Sequence, residues 1–501
     1  MNKNLRWLLS GIVHTEIKSD IEVIGIALDS RKVKSGYLFI ACKGANFNGF
    51  DFVNEAINKG ATVIIYENDI EKAYFYANHY YISVPNLKSK IGILASKFFD
   101  YPALKMLIIG VTGTNGKTSI TQYISTLLNN FGILCGVIGT MGSGINGKFT
   151  PTCNTTPDPV TLQELLYDFV IKNVKVVTLE VSSHGLSEAR LKGINFDIGI
   201  FTNLTRDHLD YHGTMINYGK AKESFFTSYQ IRNAIININD SFGIKLIKKF
   251  ETKFKIYAIS TNLKEYLINV PIIKATNIKF NNYKDGINAY VSTPWGTGML
   301  HSSLIGEFNL NNLLMVLTTL CLIGIKFNDI LYEISKLKTV QGRMQMYGGS
   351  DYNLPLIVVD YSHTPDALKK ALVTLRKYCK GTLWCIFGCG GSRDLSKRAL
   401  MGNIAEKFSD RTIITNDNPR SEDPEIIVQD ILKGVSNINS FIVQYDRAIA
   451  IKYAINNAKV QDIILIAGKG HEQYQILGNK KIIFNDGNVI LDIISKMKFI
   501  K

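Results

Sequence analysis

Met106-Leu-Ile-Ile-Gly-Val111-Thr112-Gly113-Thr114-Asn115-Gly116-Lys117-Thr118 decides the fold. Its apolar half reads as a short buried strand, which breaks into a Gly-rich turn. A helix follows, because Ile120, Tyr123, Ile124, Leu127, Leu128 and Phe131 recur at spacings of three and four. A strand, a Gly-rich turn and a helix N-terminus form an anion site, since backbone N–H groups and the positive end of the helix dipole converge there. In Gly113-Thr114-Asn115-Gly116-Lys117-Thr118-Ser119, Lys117 would put a point charge on the β- and γ-phosphates of a nucleotide, and Thr118 a hydroxyl on Mg²⁺. A generic phosphate loop has Gly six positions before the Lys; here that position is Val111, so the loop is a variant.

Working outward, 501 residues predict about three domains. A hydrophobic content of 46% with 20% charged residues fits a globular protein rather than a disordered chain. The formal charge of +15 raises the question of nucleic acid. The lysines are spread along the whole chain, no basic block is interleaved with aromatics, and no zinc-finger or RNP-like motif occurs. A nucleic-acid partner is therefore not expected, and a basic surface would favour a small anionic substrate. Seven Cys without a Cys-x-x-Cys pair suggest neither a disulfide framework nor a zinc site. The N-terminal apolar run is too short for a secretory signal, and no stretch approaches 18 apolar residues. A cytoplasmic protein without membrane insertion is expected.

The first unit, residues 1–102, reads as a small α/β module. It has strands at Gly36–Ala41 and Ala61–Ile65 and a helix from Phe52 that stops at Gly60. Leu28-Asp29-Ser30-Arg31 is equally a turn and a ligand edge. The second unit, 103–340, continues past the phosphate loop to the polar loop Asn154-Thr155-Thr156-Pro157. Lys175–Glu180 reads as a buried strand ending in an acid, and a carboxylate there is placed to hold a nucleotide's Mg²⁺. The strand Asp197–Leu204 leads into Arg206-Asp207-His208, with His208 a candidate metal ligand. On the helix that follows, Lys220 and Lys222 are expected to be solvated. Gly306-Glu-Phe-Asn309-Leu-Asn-Asn312 opens another apolar helix, where Asn ordinarily caps.

The third unit, 341–501, alternates strands with helices. Its strands end in Asp360-Tyr-Ser-His363, Gly388-Cys-Gly-Gly391-Ser-Arg393-Asp394, Asn416-Asp417-Asn418-Pro419-Arg420 and Gly468-Lys469-Gly470-His471-Glu472. Four polar tips at four strand ends predict a parallel sheet with a cleft at its carboxyl edge. Two arginines and a glutamate aimed into one cleft suit a zwitterion carrying carboxylates and an amine.

Together these motifs resemble the Mur ligase family, the ATP-dependent amide-bond ligases of peptidoglycan precursor synthesis. Gly113-Thr-Asn-Gly-Lys-Thr118 is the family's form of the phosphate loop, which accounts for Val111. Asn-Thr-Thr-Pro, Glu-Val-Ser-Ser-His-Gly, Asn-Leu-Thr-Arg-Asp-His-Leu-Asp-Tyr-His-Gly, Asp-Tyr-Ser-His-Thr-Pro-Asp-Ala and Gly-Lys-Gly-His-Glu match in order over nearly the whole chain. The resemblance is strongest to the members that add the third residue of the stem peptide, and Asp417-Asn418-Pro419-Arg420 looks like the signature of the diaminopimelate-adding type.

The resemblance implies an N-terminal UDP-sugar-binding α/β domain, a central P-loop ATPase-like parallel-sheet domain and a C-terminal Rossmann-like domain that binds the amino acid. It implies three small-molecule substrates: ATP, UDP-N-acetylmuramoyl-L-alanyl-D-glutamate and meso-2,6-diaminopimelate. Mg²⁺ would be the cofactor, the enzyme a monomer, and its product a precursor of the cell wall on which growth, shape and division depend. Lys117, Glu180, His208 and Lys222 would be catalytic. Thr118, Glu180 and His208 would hold Mg²⁺ together with Lys222 as a carbamate (N6-carboxylysine). Residues 113–119 with Asn309, Asn312 and Arg343 would bind ATP. The nucleotide sugar would take Leu28, Ser30, Ala45, Asn46, Phe47, Asn154, Thr155, Thr156, Ser182, Glu188 and Arg190. Glu188 is a departure, because an acid would repel that anion unless Arg190 pairs with it. Arg393, Asp417, Asn418, Pro419, Arg420, Gly468 and Glu472 would bind diaminopimelate, with Arg420 on its distal carboxylate and Glu472 on its ammonium. The alternatives are a lysine-adding ligase of the same family and, from another class, a nucleotide-dependent binding protein that is not a ligase.

Overall fold

The computed structural model describes residues 1–17, 20–44, 47–262 and 268–498. Ala45 and Asn46 lie outside the described residues. The strands of the described residues form three main sheets, each mostly parallel, with the cores packed between sheet and helices.

In the first unit Gly25–Ala27, Tyr37–Ala41, Ala61–Glu67 and His79–Val84 run parallel in that order, and Lys72–Tyr76 closes the edge antiparallel. The triplet at 29–31 proves to be part of a 3₁₀ turn, Ser30–Lys32, in which Asp29 caps the Arg31 N–H. The unit rests on the second through the helix Leu87–Phe98, whose Ser96 hydroxyl donates to Gly193 O.

The second unit carries the large sheet. Cys135–Gly139, Val176–Glu180, Leu107–Thr112, Phe196–Phe201, Ile231–Asn237, Lys255–Ser260 and Ile272–Phe280 are parallel neighbours in that order. Antiparallel strands extend it at both ends. The helix Lys117–Asn130 buries the five apolar residues that its period marks, while Phe131 becomes its C-cap. The helix Glu307–Ile323 packs against it from the same core.

In the third unit Leu356–Asp360, Ile463–Ala467, Leu383–Phe387, Arg411–Ile414 and Phe441–Val443 are parallel in that order, with Gln345–Gly348 antiparallel at one edge. All four polar tips follow strand ends of this one sheet. The second and third units meet directly. Asn115 Nδ2 donates to Asp366 Oδ2 at 3.4 Å, and Arg206 Nη2 to Ser396 Oγ at 2.6 Å.

Candidate active site

Strand register assembles the phosphate site. Glu180 is the register partner of Val111, and Phe201 that of Thr112, so the acid and the Thr202-Asn203 turn flank the loop as it leaves the sheet. Gly113 sits at φ +144°, where a Cβ would lie 1.8 Å from Thr202 Oγ1. That close approach lets Thr202 Oγ1 donate to Asn115 O at 2.6 Å and Asn203 Oδ1 accept from Asn115 N at 3.0 Å. Gly116, at φ +91°, precedes the helix and gives it no side-chain cap, so no side chain competes for the first-turn N–H groups that face the cleft.

Three basic side chains converge on this loop. Lys117 Nζ donates to Gly113 O at 2.9 Å and Thr114 O at 2.8 Å, Lys222 Nζ donates to Gly113 O at 2.8 Å, and Arg343 Nη2 donates to Thr118 Oγ1 at 3.0 Å. Arg343 is also stacked over the Tyr361 ring, 4.2 Å from its centroid. Burial lowers the pKa of both lysines, and the Lys117 charge lowers Lys222 further. The expectation of a solvated Lys222 fails: it is 1% exposed, because the helix turns this face against Tyr218 and the loop, while Lys220 stays in solvent.

Glu180 is buried and accepts from Thr140 N at 2.9 Å and Thr140 Oγ1 at 3.0 Å. His208, in a left-handed conformation at φ +53°, is held neutral, its pKa pushed down to about 3 by burial and by the nearby cations. Burial opposes the charge on Asp207, yet the contact with His363 and the charge of Lys397 hold its carboxyl well below the usual range. Thr118 and Glu180 supply hard oxygen donors and His208 a neutral ring nitrogen, a set that fits Mg²⁺ when nucleotide phosphates complete it. Among the described residues no cluster of three His, Cys, Asp or Glu forms a self-sufficient cage. Asn309 and Asn312 are buried beside the loop, with Asn312 Oδ1 2.8 Å from where a Gly116 Cβ would stand. Neither is the cap expected of it: Gly306 occupies that position, and Asn309 Nδ2 donates back to Ile305 O at 2.9 Å.

On the side nearest the first unit, Thr155 Oγ1 meets Thr140 Oγ1 at 3.1 Å, and Thr156 Oγ1 donates to Glu180 O at 2.7 Å and lies 2.9 Å from Ser182 Oγ. Ser182 in turn caps the short helix Ser183–Ser187. Arg190 pairs with Glu188 Oε2 at 2.5 Å and donates to Thr156 O at 2.7 Å, so the unexpected acid is neutralised. Asn154 is exposed at the cleft wall. Leu28, Ser30 and Phe47 do not line the cleft. Leu28 packs on the first unit's core, Ser30 Oγ donates to Glu55 Oε2 at 2.7 Å, and Phe47 is 72% exposed.

On the opposite wall, Asn418 Nδ2 donates to Glu472 Oε2 at 2.9 Å, and Lys469, fully buried, donates to the same oxygen at 2.8 Å and to Asn418 Oδ1 at 3.1 Å. Glu472 therefore already holds an ammonium, that of Lys469. Asp417 faces Gly468, whose φ of +111° leaves no room for a Cβ beside Asp417 Oδ2. Arg420, at φ +56°, donates through Nη1 to Gly391 O at 2.8 Å. Pro419 is buried behind it, and Arg393 is exposed at the rim.

Both walls open onto one cleft of about 1580 Å³, lined by residues 114–119, Glu180, His208, Lys222, Arg343, Arg393, Asp417, Arg420 and Glu472 among others. The chain matches three family models: the Mur ligase family, catalytic domain, over residues 22–99, the Mur ligase middle domain over 111–320, and the Mur ligase, glutamate ligase domain, over 342–470. The chain belongs to the Mur ligase family. Within that family it is 43% identical over 471 residues to the UDP-N-acetylmuramoyl-L-alanyl-D-glutamate–2,6-diaminopimelate ligase of Coxiella burnetii, covering 94% of this chain and 95% of that protein. It is 41% identical over 483 residues to the ligase of the same name from Haemophilus influenzae, covering 96% and 98%. A solved structure of such a ligase matches with a TM-score of 0.69 at 32% identity, over 99% of this chain and all of the other.

Several residues of this Mur ligase's cleft escape sequence reasoning. Asp207 and His363 face each other across the unit boundary, His363 Nε2 lying 3.8 Å from Asp207 Oδ2. Lys397 Nζ donates to His363 O at 2.8 Å, and Thr140 holds Glu180. Asp207 and His363 sit inside quoted motifs, so their polar surroundings were a signal; Thr140 follows a strand of small apolar residues and carried none.

Proposed function

We propose that the chain is an ATP-dependent, ADP-forming ligase. It joins meso-2,6-diaminopimelate to the D-glutamyl γ-carboxylate of UDP-N-acetylmuramoyl-L-alanyl-D-glutamate in peptidoglycan precursor synthesis. The observation that carries this reading is that the phosphate loop with its three basic side chains and the Asp417–Arg420 loop with Glu472 line one continuous cleft.

The γ-carboxylate attacks the γ-phosphorus of ATP, releasing ADP and leaving an acyl phosphate. The amine of diaminopimelate then adds to the acyl carbon, and the tetrahedral adduct expels phosphate. Positioning and charge neutralisation dominate such transfers. Lys117 and the loop N–H groups bind the β- and γ-phosphates, Arg343 steadies Thr118 at the same loop, and Asn309 and Asn312 border the nucleoside side. Thr118, Glu180 and His208 are the residues that would hold Mg²⁺, which supplies Lewis-acid neutralisation of the phosphoryl oxygens when bound. A neutral, buried Lys222 amine is the form that captures carbon dioxide, and as a carbamate it would turn a repelling cation into a ligand. Asn154, Thr155, Thr156, Ser182 and the Glu188–Arg190 pair form the muramoyl-dipeptide side, and the uridine is assigned to the first unit, beyond the cleft, through Leu28, Ser30 and Phe47.

Arg420 receives the distal carboxylate of diaminopimelate, while Asp417 is the acid left to meet its ammonium, because Lys469 occupies Glu472. Lysine lacks that carboxylate and would leave Arg420 unpaired, which disfavours it. The units 1–102, 103–340 and 341–501 bring sugar, ATP and amino acid respectively. The enzyme works as a monomer in the cytoplasm. Among the described residues no helix is long and apolar enough to cross a membrane.

ADP release measured with the UDP-muramoyl dipeptide plus either amino acid tests this. Turnover with diaminopimelate and little with lysine is expected. Equal turnover overturns the specificity, and no substrate-dependent ADP overturns the ligase reading. Arg420→Ala is expected to lose diaminopimelate selectivity while keeping ATP affinity.

A further inference from the structure

We infer that Arg398 is a positioning residue for the incoming amino acid, acting on Arg420 through Glu422 without touching substrate. This rests on the proposed role of Arg420.

Arg398 lies on the helix Ser396–Phe408, has no exposed side-chain surface and does not line the cleft. Its guanidinium makes a two-pronged pair with Glu422: Nη1 donates to Oε1 at 2.6 Å and Nη2 to Oε2 at 2.7 Å. Nη1 also donates to Asp430 Oδ2 at 3.0 Å, and Nη2 reaches Gly390 O at 3.4 Å. Glu422 extends the connection, accepting from Ser392 N at 2.9 Å through the oxygen that faces Nη2, while its own N–H donates to Pro419 O at 3.1 Å. One buried cation thus fastens the Gly388–Asp394 loop to the Asp417–Glu422 loop.

The two loops have almost no slack between them. Gly391 N donates to Asn418 O at 2.9 Å, and a Cβ on Gly391 would lie 1.9 Å from Pro419 O. Arg420 hangs from this seam. Its Nη1 donates to Gly391 O, and its left-handed backbone is held by Arg420 N donating to Ile476 O at 3.1 Å. A planar, bidentate guanidinium fixes direction as well as distance, which a lysine ammonium cannot do. Moving Glu422 moves Ser392 and Pro419 together, and with them the carbonyl that aims Arg420.

The test uses the full-length protein with four variants: Arg398→Lys, Glu422→Gln, Arg420→Ala and Arg398→Lys combined with Arg420→Ala. ADP release is followed against each substrate in turn, with a thermal melt alongside. Arg398→Lys is expected to raise KM for diaminopimelate about tenfold, leaving KM for ATP within about twofold and narrowing the preference over lysine; Glu422→Gln should act in the same direction. In the Arg420→Ala background Arg398→Lys should add less than about twofold, as coupled residues do. An equal effect in both backgrounds, or a rise in all three KM values together with a lower melting temperature, would show Arg398 to be a staple of the fold only. If Arg420→Ala raises the diaminopimelate KM and neither Arg398→Lys nor Glu422→Gln does, this inference alone fails. If Arg420→Ala itself leaves that KM unchanged, the reading of Asp417–Arg420 fails and takes this one with it.

Discussion

Lys222 presents an amine at the bottom of the cleft whose charge is opposed twice, by burial and by Lys117 beside it. Incubation with ¹³C-labelled bicarbonate should therefore give one protected carbamate carbonyl signal, absent from Lys222→Ala. A wild-type spectrum without it would refute the modification. Loss of activity in Lys222→Ala of about 10²-fold or more is expected, comparable to removing one preorganised electrostatic group from an active site. At this scale the sequence was legible wherever a motif was dense. Lys117, Glu180 and His208 were each read from a strand end. The orientation of Lys222 was not, because Lys220 and Lys222 are two apart on a helix and only packing against Tyr218 tells the inward one from the outward one. Lys469 was missed as the partner of Glu472, since a lysine between two glycines gives no sign of being buried.

The turn between Leu107–Thr112 and Lys117–Asn130 depends on a backbone that only glycine adopts cheaply at position 113. Gly113→Ala combines a strained φ with a collision against Thr202 and should cost about 1–3 kcal/mol of stability. A thermal melt measures that cost, and titration with ATP should show weakened binding in the same variant; unchanged binding would mean that the loop tolerates another path. Elements were the most legible level. The 3.6-residue period gave the helix after the loop, and polar tips on apolar runs gave the parallel sheet of the third unit. The strand Val176–Glu180 pairs directly with Leu107–Thr112, the neighbour relation on which the reading of Glu180 rests. What stayed hidden was the order of the other strands across the sheet, which pairs segments far apart in sequence.

Across the whole molecule, the second and third units face each other with histidines held neutral. His208 and His471 are both pushed down to about 3, in each case first by burial; Arg343 adds to it at His471. An unfolded chain would take up protons at both near pH 6.5, so stability is complete above that value and declines as the pH falls from 6.5 towards 3. Melting temperature should drop between pH 7 and pH 5, with a shallower drop in His471→Gln; an equal slope in that variant would assign the acid sensitivity elsewhere. The three-unit architecture was legible from length and motif order, whereas the contacts that join the units were not. Arg343 has one further consequence. It meets Thr118 across 225 residues of chain. During synthesis the phosphate loop emerges and folds long before its arginine has been made. A chain ending at residue 341 should accordingly bind ATP more weakly than the full chain, and equal affinity would refute this. The final third of the polypeptide thus contributes a side chain to the phosphate loop, so that full nucleotide affinity is expected only once the whole chain has been made.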